Sequence, residues 1–239
     1  YVREKRVGVN LEVSYPLTKF DRLDTRLSLR HADIDRSFEG RPLNGWLATN
    51  FISFTHDSSF WIPTGPLEGT RYSAGMAQTI DFKSSRRFNI TLFGDLRHYL
   101  RLSRTSALAL RLMARRSSGD VPELFSMGGS WTLRGYGWRS LWGSKLLLAN
   151  GELRFPLLHR LRLDLPIGGI EFSALRGALF VDAGNAWSSE FDEVRGSFGA
   201  GTRAALGGVF VLRLDASRRT DFRAIENDTR WDFFFGWDF

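Results

Sequence analysis

Histidine, serine and acidic side chains are the groups with which this chain could perform covalent or metal chemistry. The sequence contains no cysteine, which excludes disulfides, thiolate metal sites and a cysteine nucleophile. No histidine is placed with serine and aspartate, or with further ligands, in a pattern typical of a hydrolase triad or a metal site. The four histidines are His31, His56, His98 and His159. We therefore predict no enzyme activity, no metal and no cofactor.

One segment combines glycines and aromatic residues with a single arginine. It runs Gly128-Gly129-Ser130-Trp131-Thr132-Leu133-Arg134-Gly135-Tyr136, within a longer stretch at about 117–143 that lacks strand alternation. Loops longer than about 12–15 residues are usually functional or disordered, and a disordered loop would not be this rich in tryptophan and leucine. We expect the 117–143 loop to fold back against the protein, where Arg134 needs a partner once it leaves water. Gly135 would allow a tight turn or a positive φ beside it.

Period-two alternation of apolar and charged residues predicts the elements that must position this loop. Between Phe88 and Leu102, alternate side chains are mostly apolar, while the other face carries charges such as Asp95 and Arg97. An aromatic content of 14% and 24 glycines also disfavour helices. About eleven strands are predicted, at 5–15, 22–33, 45–56, 69–81, 86–102, 105–115, 144–155, 172–184, 195–206, 208–218 and 229–239.

The length of these strands favours a membrane protein. Nearly all reach about ten residues, whereas strands of soluble proteins cluster around five or six, and about 9–11 tilted residues cross the hydrocarbon of a membrane. The predicted fold class is therefore all-β, a transmembrane antiparallel β-barrel with about 11–12 strands in this chain. Residues 1–239 would form one domain, with the apolar face against lipid and the arginine-rich face lining a wet lumen.

Two other classes fit part of this pattern. A soluble all-β binding module also has alternating strands, but they would be about half as long and would turn their charged face outward. The 33 Lys and Arg residues against 26 Asp and Glu give a net charge of +7, which nucleic acid could neutralise. The arginines, however, are spread at strand period over the whole chain and form no basic run. We expect no nucleic-acid partner and keep the soluble module as an alternative.

Three motifs resemble those of a known family. Leu133-Arg134-Gly135-Tyr136 is similar to the (V/I/L)RG(F/Y) motif of the Omp85 superfamily, the outer-membrane assembly and two-partner-secretion translocator barrels also described as the bacterial surface antigen domain. Phe180-Val181-Asp182-Ala183-Gly184 resembles its F-x-D-x-G strand motif, and Glu152-Leu153-Arg154-Phe155-Pro156 resembles the strand that follows the loop. The order of these motifs, with five predicted strands after the loop, is specific. The resemblance covers Gly128 to Phe239 well and the earlier strands by pattern.

The resemblance implies that Arg134 inserts into the lumen and pairs with Asp182, which holds the loop inside. The residues meet this demand independently, because Phe180 and Asp182 share the lumenal parity of the predicted strand while Leu179 has the lipid-facing parity. An arginine fork can bind both oxygens of a carboxylate that is shielded from water.

Other pairings are open from the residues alone. Glu152 also faces the lumen and is a second possible partner for Arg134, and Asp182 could instead balance lumenal arginines such as Arg176 and Arg203. The predicted lumenal site comprises Arg134, Gly135 and Tyr136 in the loop, Asp182 and Glu152 as partners, and Phe180 and Gly184 in the strand motif.

The last predicted strand, 229–239, carries alternating aromatic residues. Phe235, Trp237 and the terminal Phe239 resemble the assembly signal by which outer-membrane barrels are recognised, and β-augmentation against an open strand edge could accomplish this recognition. The alternative is that they are lipid-facing belt residues, and both roles can hold together.

Together the motifs imply a barrel in the outer membrane of a Gram-negative bacterium or a related organelle. Its implied function is to assemble and insert outer-membrane proteins or to translocate polypeptide. Its implied partners are the lipid bilayer, client outer-membrane or secreted polypeptides, and upstream periplasmic domains or accessory lipoproteins. A passive anion-selective pore is the alternative within membranes.

The strand count predicts that further strands precede this segment. Bacterial single-chain barrels have an even number of strands, whereas about eleven is odd, and the resemblance implies a sixteen-stranded barrel. The start of the chain, Tyr1 to Val13, also has neither an initiator methionine nor a signal-peptide core. We therefore expect this to be the C-terminal part of a larger barrel.

Overall fold

The computed structural model of the protein describes residues 2–36, 43–62, 65–82, 86–158, 161–165, 168–206 and 210–236. Fifteen strands lie in these ranges: β1 (Val2–Pro16), β2 (Asp21–Arg36), β3 (Leu43–Asp57), β4 (Phe60–Ile62), β5 (Gly65–Asp81), β6 (Arg86–Arg101), β7 (Ala107–Ser118), β8 (Phe125–Met127), β9 (Leu141–Gly143), β10 (Lys145–Leu158), β11 (Leu161–Leu165), β12 (Gly168–Trp187), β13 (Arg195–Leu206), β14 (Phe210–Thr220) and β15 (Ile225–Gly236). The described residues contain no helix that is long and apolar enough to cross a membrane.

Eleven long strands form one antiparallel sheet. Their order is β1-β2-β3-β5-β6-β7-β10-β12-β13-β14-β15, so each long strand lies beside the next long strand in sequence. The short strands β4 and β11 pair with β5 and β12, and β8 and β9 pair with each other. This up-and-down connectivity, with strands of this length, is typical of membrane β-barrels.

The eleven predicted strands are confirmed as the long strands of this sheet, with ends that differ by a few residues. The strand predicted at 172–184 is β12, Gly168–Trp187, and the strand predicted at 229–239 is β15, which begins at Ile225. Ladder hydrogen bonds join backbone groups, so they continue past the point where the side chains stop alternating. Residues 237–239, with the predicted positions Trp237 and Phe239, lie outside the described residues.

The two faces of the sheet have opposite chemistry. On the outer face, the side chains of Leu92, Leu112 and Leu179 are each 50–52% exposed. On the inner face, Arg203 and Asp215 are almost completely buried. A soluble sandwich needs the reverse arrangement, so the alternative of a soluble module is wrong. The sheet therefore turns its apolar face to acyl chains and curls its charged face around a lumen.

The sheet has two dissimilar ends. We call the end that carries the 117–143 loop and the connections 188–194 and 221–224 the loop end. The opposite, turn end carries the connections 17–20 and 102–106. β7 and β10 are antiparallel neighbours, so β7 ends and β10 begins at the same end of the sheet. The 117–143 loop connects them there.

Replacement of Leu179 with arginine tests the assignment of the faces. A charge near the middle of a lipid-facing strand costs about 2–4 kcal/mol, so Leu179→Arg should lower the free energy of unfolding from phospholipid bilayers by that amount. Urea titration of the heat-modifiable electrophoretic band measures this quantity. The control Leu179→Met keeps an apolar side chain of similar volume and should cost less than about 1.5 kcal/mol. An unchanged stability for Leu179→Arg would put lipid on the other face.

Candidate functional site

The 117–143 loop has regular structure of its own. β7 continues to Ser118, and β8 pairs with β9 at the base of the loop, where Phe125 lies opposite Gly143. The sequence shows only a break in alternation here, because a three-residue strand is too short to reveal its period. The paired strands enclose residues 128–140, which we call the tip.

Apolar packing holds the tip against the inner face of the sheet. Leu133 is fully buried in a cluster with Phe125 and Met127 of β8. Strand residues complete this cluster: Met113, Leu146, Leu148 and Ala186. Since burial of a leucine side chain is worth about 1.5–3 kcal/mol, the cluster holds the tip inside the sheet before any charged contact is counted.

Arg134 follows Leu133 and is buried against two carboxylates. Its Nε lies 2.7 Å from Asp182 Oδ2 and its Nη2 lies 2.6 Å from Asp182 Oδ1, which is a bidentate pair. Its Nη1 donates to Glu152 Oε2 at 2.6 Å. The backbone N–H of Arg134 also donates to Asp182 Oδ2, at 3.2 Å. The structure thus brings the three predicted residues Arg134, Asp182 and Glu152 together, and we call them the ion-pair group.

Burial decides how much these contacts matter. The side chains of the ion-pair group are at most 7% exposed. Desolvation disfavours the charged guanidinium, but the hydrogen bonds of Asp182 and the charges of both carboxylates outweigh it and raise the pKa of Arg134 above its ordinary value. Each buried ion loses several kcal/mol of hydration. Arg134 is therefore stable inside the lumen only while the two carboxylates are present.

Neighbouring side chains orient the two carboxylates. The amide of Asn150 donates to Asp182 Oδ1 at 2.8 Å. Arg154 donates to Glu152 Oε1 at 2.8 Å, and Arg203 donates to the same oxygen. Glu152 is therefore shared by three arginines, and through Arg203 it connects the tip to β13.

The alternative partners considered for Asp182 lie elsewhere. Arg203 contacts Glu152. Arg176 is on the inner face of β12, six positions before Asp182, which corresponds to about 20 Å along the strand. Among the described residues, the side chains that donate hydrogen bonds to Asp182 are those of Arg134 and Asn150.

Each residue of the strand motif has a separate role in receiving the tip. Phe180, Asp182 and Gly184 all face the lumen, because alternate residues of a strand share a face. The Arg134 guanidinium lies 3.5 Å from the centroid of the Phe180 ring, a cation–π contact. A Cβ added at Gly184 would collide with the Leu147 carbonyl of β10 and lie 3.3 Å from Met127 Cε, so the missing side chain makes room for β10 and for β8.

Gly135 and Tyr136 attach the loop motif to β14. Gly135 has a φ of +81°, in the left-handed region that favours glycine, and this turns the chain after Arg134. Its carbonyl accepts a hydrogen bond of 2.7 Å from Arg219 Nε. The Arg219 guanidinium also lies 4.8 Å from the centroid of the Tyr136 ring.

Sequence reasoning missed the residues that connect the tip to β7 and β15. Arg111 of β7 donates to the carbonyl of Trp131 at 3.0 Å. The ring of Trp131 meets Phe234 of β15 edge to face, with centroids 4.5 Å apart. Strand parity indicates that Arg111 and Phe234 point inward, but no sequence pattern shows what they would touch there. The tip contacts β7, β10, β12, β14 and β15.

The terminal strand presents its aromatic residues to the outside. Trp231, Phe233 and Phe235 alternate on the outer face of β15 and are 52–68% exposed. Exposed rings on this face suit contact with lipid. A role as assembly signal stays a prediction, and two of its residues, Trp237 and Phe239, lie outside the described part of the chain.

His56 lies in a hydrogen-bonded row that the sequence did not reveal. At the turn end its Nδ1 is 2.6 Å from Asp21 Oδ1, and its Nε2 is 3.2 Å from Ser58 Oγ. Such an order is found in hydrolases, but the Ser58 hydroxyl also donates to the Thr70 carbonyl and accepts from the Thr70 N–H. These backbone bonds give Ser58 a structural role at the edge of β5. Within the described ranges, no three acidic or histidine side chains converge as metal ligands.

Long strands, an apolar exterior and a charged lumen that holds a loop define this chain as an outer-membrane β-barrel. The Omp85 superfamily domain matches residues 1–239. The chain therefore belongs to the Omp85 superfamily, as its motifs indicate, and its location is the outer membrane of Gram-negative bacteria. In general terms this is a family of barrels that insert or translocate proteins.

Of two solved structures that match the chain, one shares its fold. BamA from Haemophilus ducreyi lacking POTRA domains 1–3 is similar with a TM-score of 0.75 and 15% identity, over 98% of this chain and 55% of that one. The chain thus spans about half the length of that structure, and the likeness shows the fold alone. The β-domain of the Bordetella autotransporter BrkA matches 98% of this chain and 87% of its own, at 15% identity and a TM-score of 0.29, which supports no inference. No curated protein matches the chain.

Replacement of Arg134 with alanine leaves Asp182 buried without an ion-pair partner, while Glu152 keeps Arg154 and Arg203. We expect Arg134→Ala to lower the free energy of unfolding by about 3–5 kcal/mol, measured by urea titration in bilayers. Arg223→Ala is the control, because Arg223 is an exposed arginine in the 221–224 connection at the same end of the sheet and its loss should change stability by about 0.5 kcal/mol or less.

A double-mutant cycle tests whether Arg134 and Asp182 act on each other. The loss in Arg134→Ala/Asp182→Ala should be smaller than the sum of the two single losses by about 1–3 kcal/mol. Losses that simply add would show that the pair makes no energetic contribution as a pair.

Proposed function

We propose that the protein inserts client β-barrels into the outer membrane or translocates polypeptide across it, without a cofactor or covalent chemistry. The observation that carries this proposal is the tip, which the ion-pair group holds inside the lumen in contact with five strands. A passive pore needs no charged plug across its own lumen. A barrel whose wall has to rearrange for a client does need a means of setting the positions of its strands.

Family membership supports the same class of function. The Omp85 superfamily domain matches the whole chain, and the residues of its loop and strand motifs form the contacts that hold the tip. The proposed role of the ion-pair group is to keep the tip in the lumen while the barrel is at rest.

The terminal strand is the proposed place of client pairing. Lipid offers no hydrogen-bond partner to a free strand edge, and each unsatisfied backbone group costs several kcal/mol there. β15 is the last strand of the described sheet and pairs with β14. A client strand that pairs with the other edge of β15 would satisfy its backbone groups before the client has closed on itself.

The contact between Trp131 and Phe234 would link the two parts of this mechanism. One ring belongs to the tip and the other to the inner face of β15. While the tip is in place, the Trp131 ring limits how far β15 can bend into the lumen. Loss of the tip would remove this support and leave the edge of β15 out of position for a client strand.

The proposed partners follow from this mechanism. The outer face takes the lipid bilayer, and the clients are outer-membrane or secreted polypeptides that arrive unfolded. Upstream periplasmic domains or accessory lipoproteins would deliver them to the turn end. This part of the proposal rests on family membership and not on contacts of this chain.

A passive anion-selective pore is the second candidate, and the arginines of the inner face favour it. Arg97, Arg111 and Arg154 all line the lumen beside the tip. Arginines along a lumen would attract anions to an open channel. The two candidates differ in what Arg134 does: an insertase depends on the tip that Arg134 holds, whereas a steadily open pore conducts whether or not Arg134 holds the tip.

Client insertion by the full-length protein in liposomes distinguishes the two candidates. We expect Arg134→Ala and Asp182→Ala each to slow the appearance of folded, protease-protected client, and the double variant to be no slower than the slower single one. The control Arg223→Ala should insert clients at the wild-type rate. Wild-type insertion by Arg134→Ala, with a large, steady and anion-selective conductance in planar bilayers that the substitution leaves unaltered, would favour the pore.

Truncation of the rings tests the link between the tip and β15. An edge-to-face pair is worth about 0.5–1.5 kcal/mol beyond its buried area, so a cycle of Trp131→Ala and Phe234→Ala should show a coupling of that size in urea unfolding. Trp138→Ala is the matched control, because Trp138 is a 76% exposed tryptophan of the same tip, and it should show no coupling to Phe234→Ala. The absence of coupling between Trp131 and Phe234 would contradict the proposed link.

A further inference from the structure

Two cations face each other on the lipid side of the sheet. Arg116 of β7 and Lys145 of β10 are direct cross-strand partners, and Trp187 of β12 is the next residue in the same row. Leu112 and Leu147, on the same face and nearer the middle of the sheet, are 50% and 44% exposed. The two cations therefore stand at the loop-end border of the surface that contacts acyl chains.

Like charges directly opposite each other destabilise a pair of strands. The inner face shows how this chain relieves such a pair. Arg97 and Arg111 are cross-strand partners there, and Asp95 lies between them, with its Oδ2 3.0 Å from Arg97 Nη2 and 2.6 Å from Arg111 Nη2. One carboxylate thus converts the repulsion of two cations into two ion pairs.

The outer pair has no equivalent of Asp95 in the part of the chain that the structure describes. Lys145 Nζ donates to the neutral carbonyl of Ser189 at 3.0 Å, and the Arg116 side chain is exposed. No described carboxylate forms an ion pair with Arg116 or Lys145. An anion that relieves this pair has to come from outside the described chain.

The position of the pair in the membrane selects the anion. From Leu108, near the turn end of β7, to Arg116 is eight positions, or about 26 Å of strand, which a tilt of about 40° reduces to about 20 Å along the membrane normal. This is close to the height of about 25 Å of the apolar band of such barrels. Trp187, which lies in the same row as the two cations, packs edge to face on Phe191 of the 188–194 connection. Aromatic residues are enriched at the headgroup level of membranes. The anions concentrated at this level are headgroup phosphates.

We propose that Arg116 and Lys145 bind the phosphate of an anionic lipid headgroup in the leaflet at the loop end. The guanidinium fork of Arg116 matches two phosphate oxygens, and the ammonium of Lys145 supplies a second charge. The phosphate lies between the two cations as Asp95 lies between Arg97 and Arg111. This site depends on the outer face alone and holds whether or not the protein inserts clients.

Native mass spectrometry of the full-length protein in neutral detergent, titrated with phosphatidylglycerol, tests this site. The dissociation constant of the first bound lipid should rise about fivefold for each cation removed, and so about 25-fold in Arg116→Gln/Lys145→Gln. The matched control is Lys19→Gln/Arg104→Gln, which removes the same charge from exposed positions at the turn end and should leave the constant at its wild-type value. Heat-modifiable mobility verifies that each variant is folded before titration.

Three outcomes would overturn the proposal. One is a wild-type dissociation constant in Arg116→Gln/Lys145→Gln. Another is an equal weakening in Lys19→Gln/Arg104→Gln, which would mean that only net charge matters. The third is displacement of the lipid by inorganic phosphate with the same constant, since the site would then take free phosphate and not a headgroup. Phosphatidylcholine, titrated in parallel, should bind wild type and both variants equally.

Discussion

The buried contact of Arg134 with Asp182 and Glu152 is the interaction on which the arrangement of the lumen depends. A guanidinium without water is tolerable only where carboxylates occupy its donors, and here all three of its nitrogens donate to them. This group and the apolar cluster around Leu133 together hold the 117–143 loop inside. Loss of Arg134 leaves Asp182 buried with no water and no ion-pair partner.

Arginines are paired with carboxylates elsewhere along the inner face of the sheet in a similar way. Carboxylates lie between arginines, as Asp95 lies between Arg97 and Arg111, and Glu152 receives Arg154 and Arg203 beside Arg134. The wall is therefore cationic in composition but locally paired, which allows many arginines to be buried in it. The outer face follows another rule, because acyl chains can neutralise nothing. Cations are found there at the border, where headgroups begin.

The tip connects several strands of the sheet to the last strand, β15. It touches strands from β7 to β15, so a change in its position is felt at several places in the wall at once. The contact of Trp131 with Phe234 is the one that reaches β15 itself. In the proposed function, the loop and this strand edge act together on a client polypeptide, and membership of the Omp85 superfamily supports this proposal.

Alternation alone determined the eleven strands and the lumenal face of Asp182, because the side-chain period of a strand is two and needs no knowledge of its neighbours. The order of the motifs pointed to Arg134 and its partners. The tertiary structure decided the short strands β8 and β9, the contact of Trp131 with Phe234, and the placement of Arg116 opposite Lys145. These features depend on the register between strands and on how the loop lies across strands that are distant in sequence. No local sequence pattern encodes them, because strands pair through backbone groups that are alike at every residue.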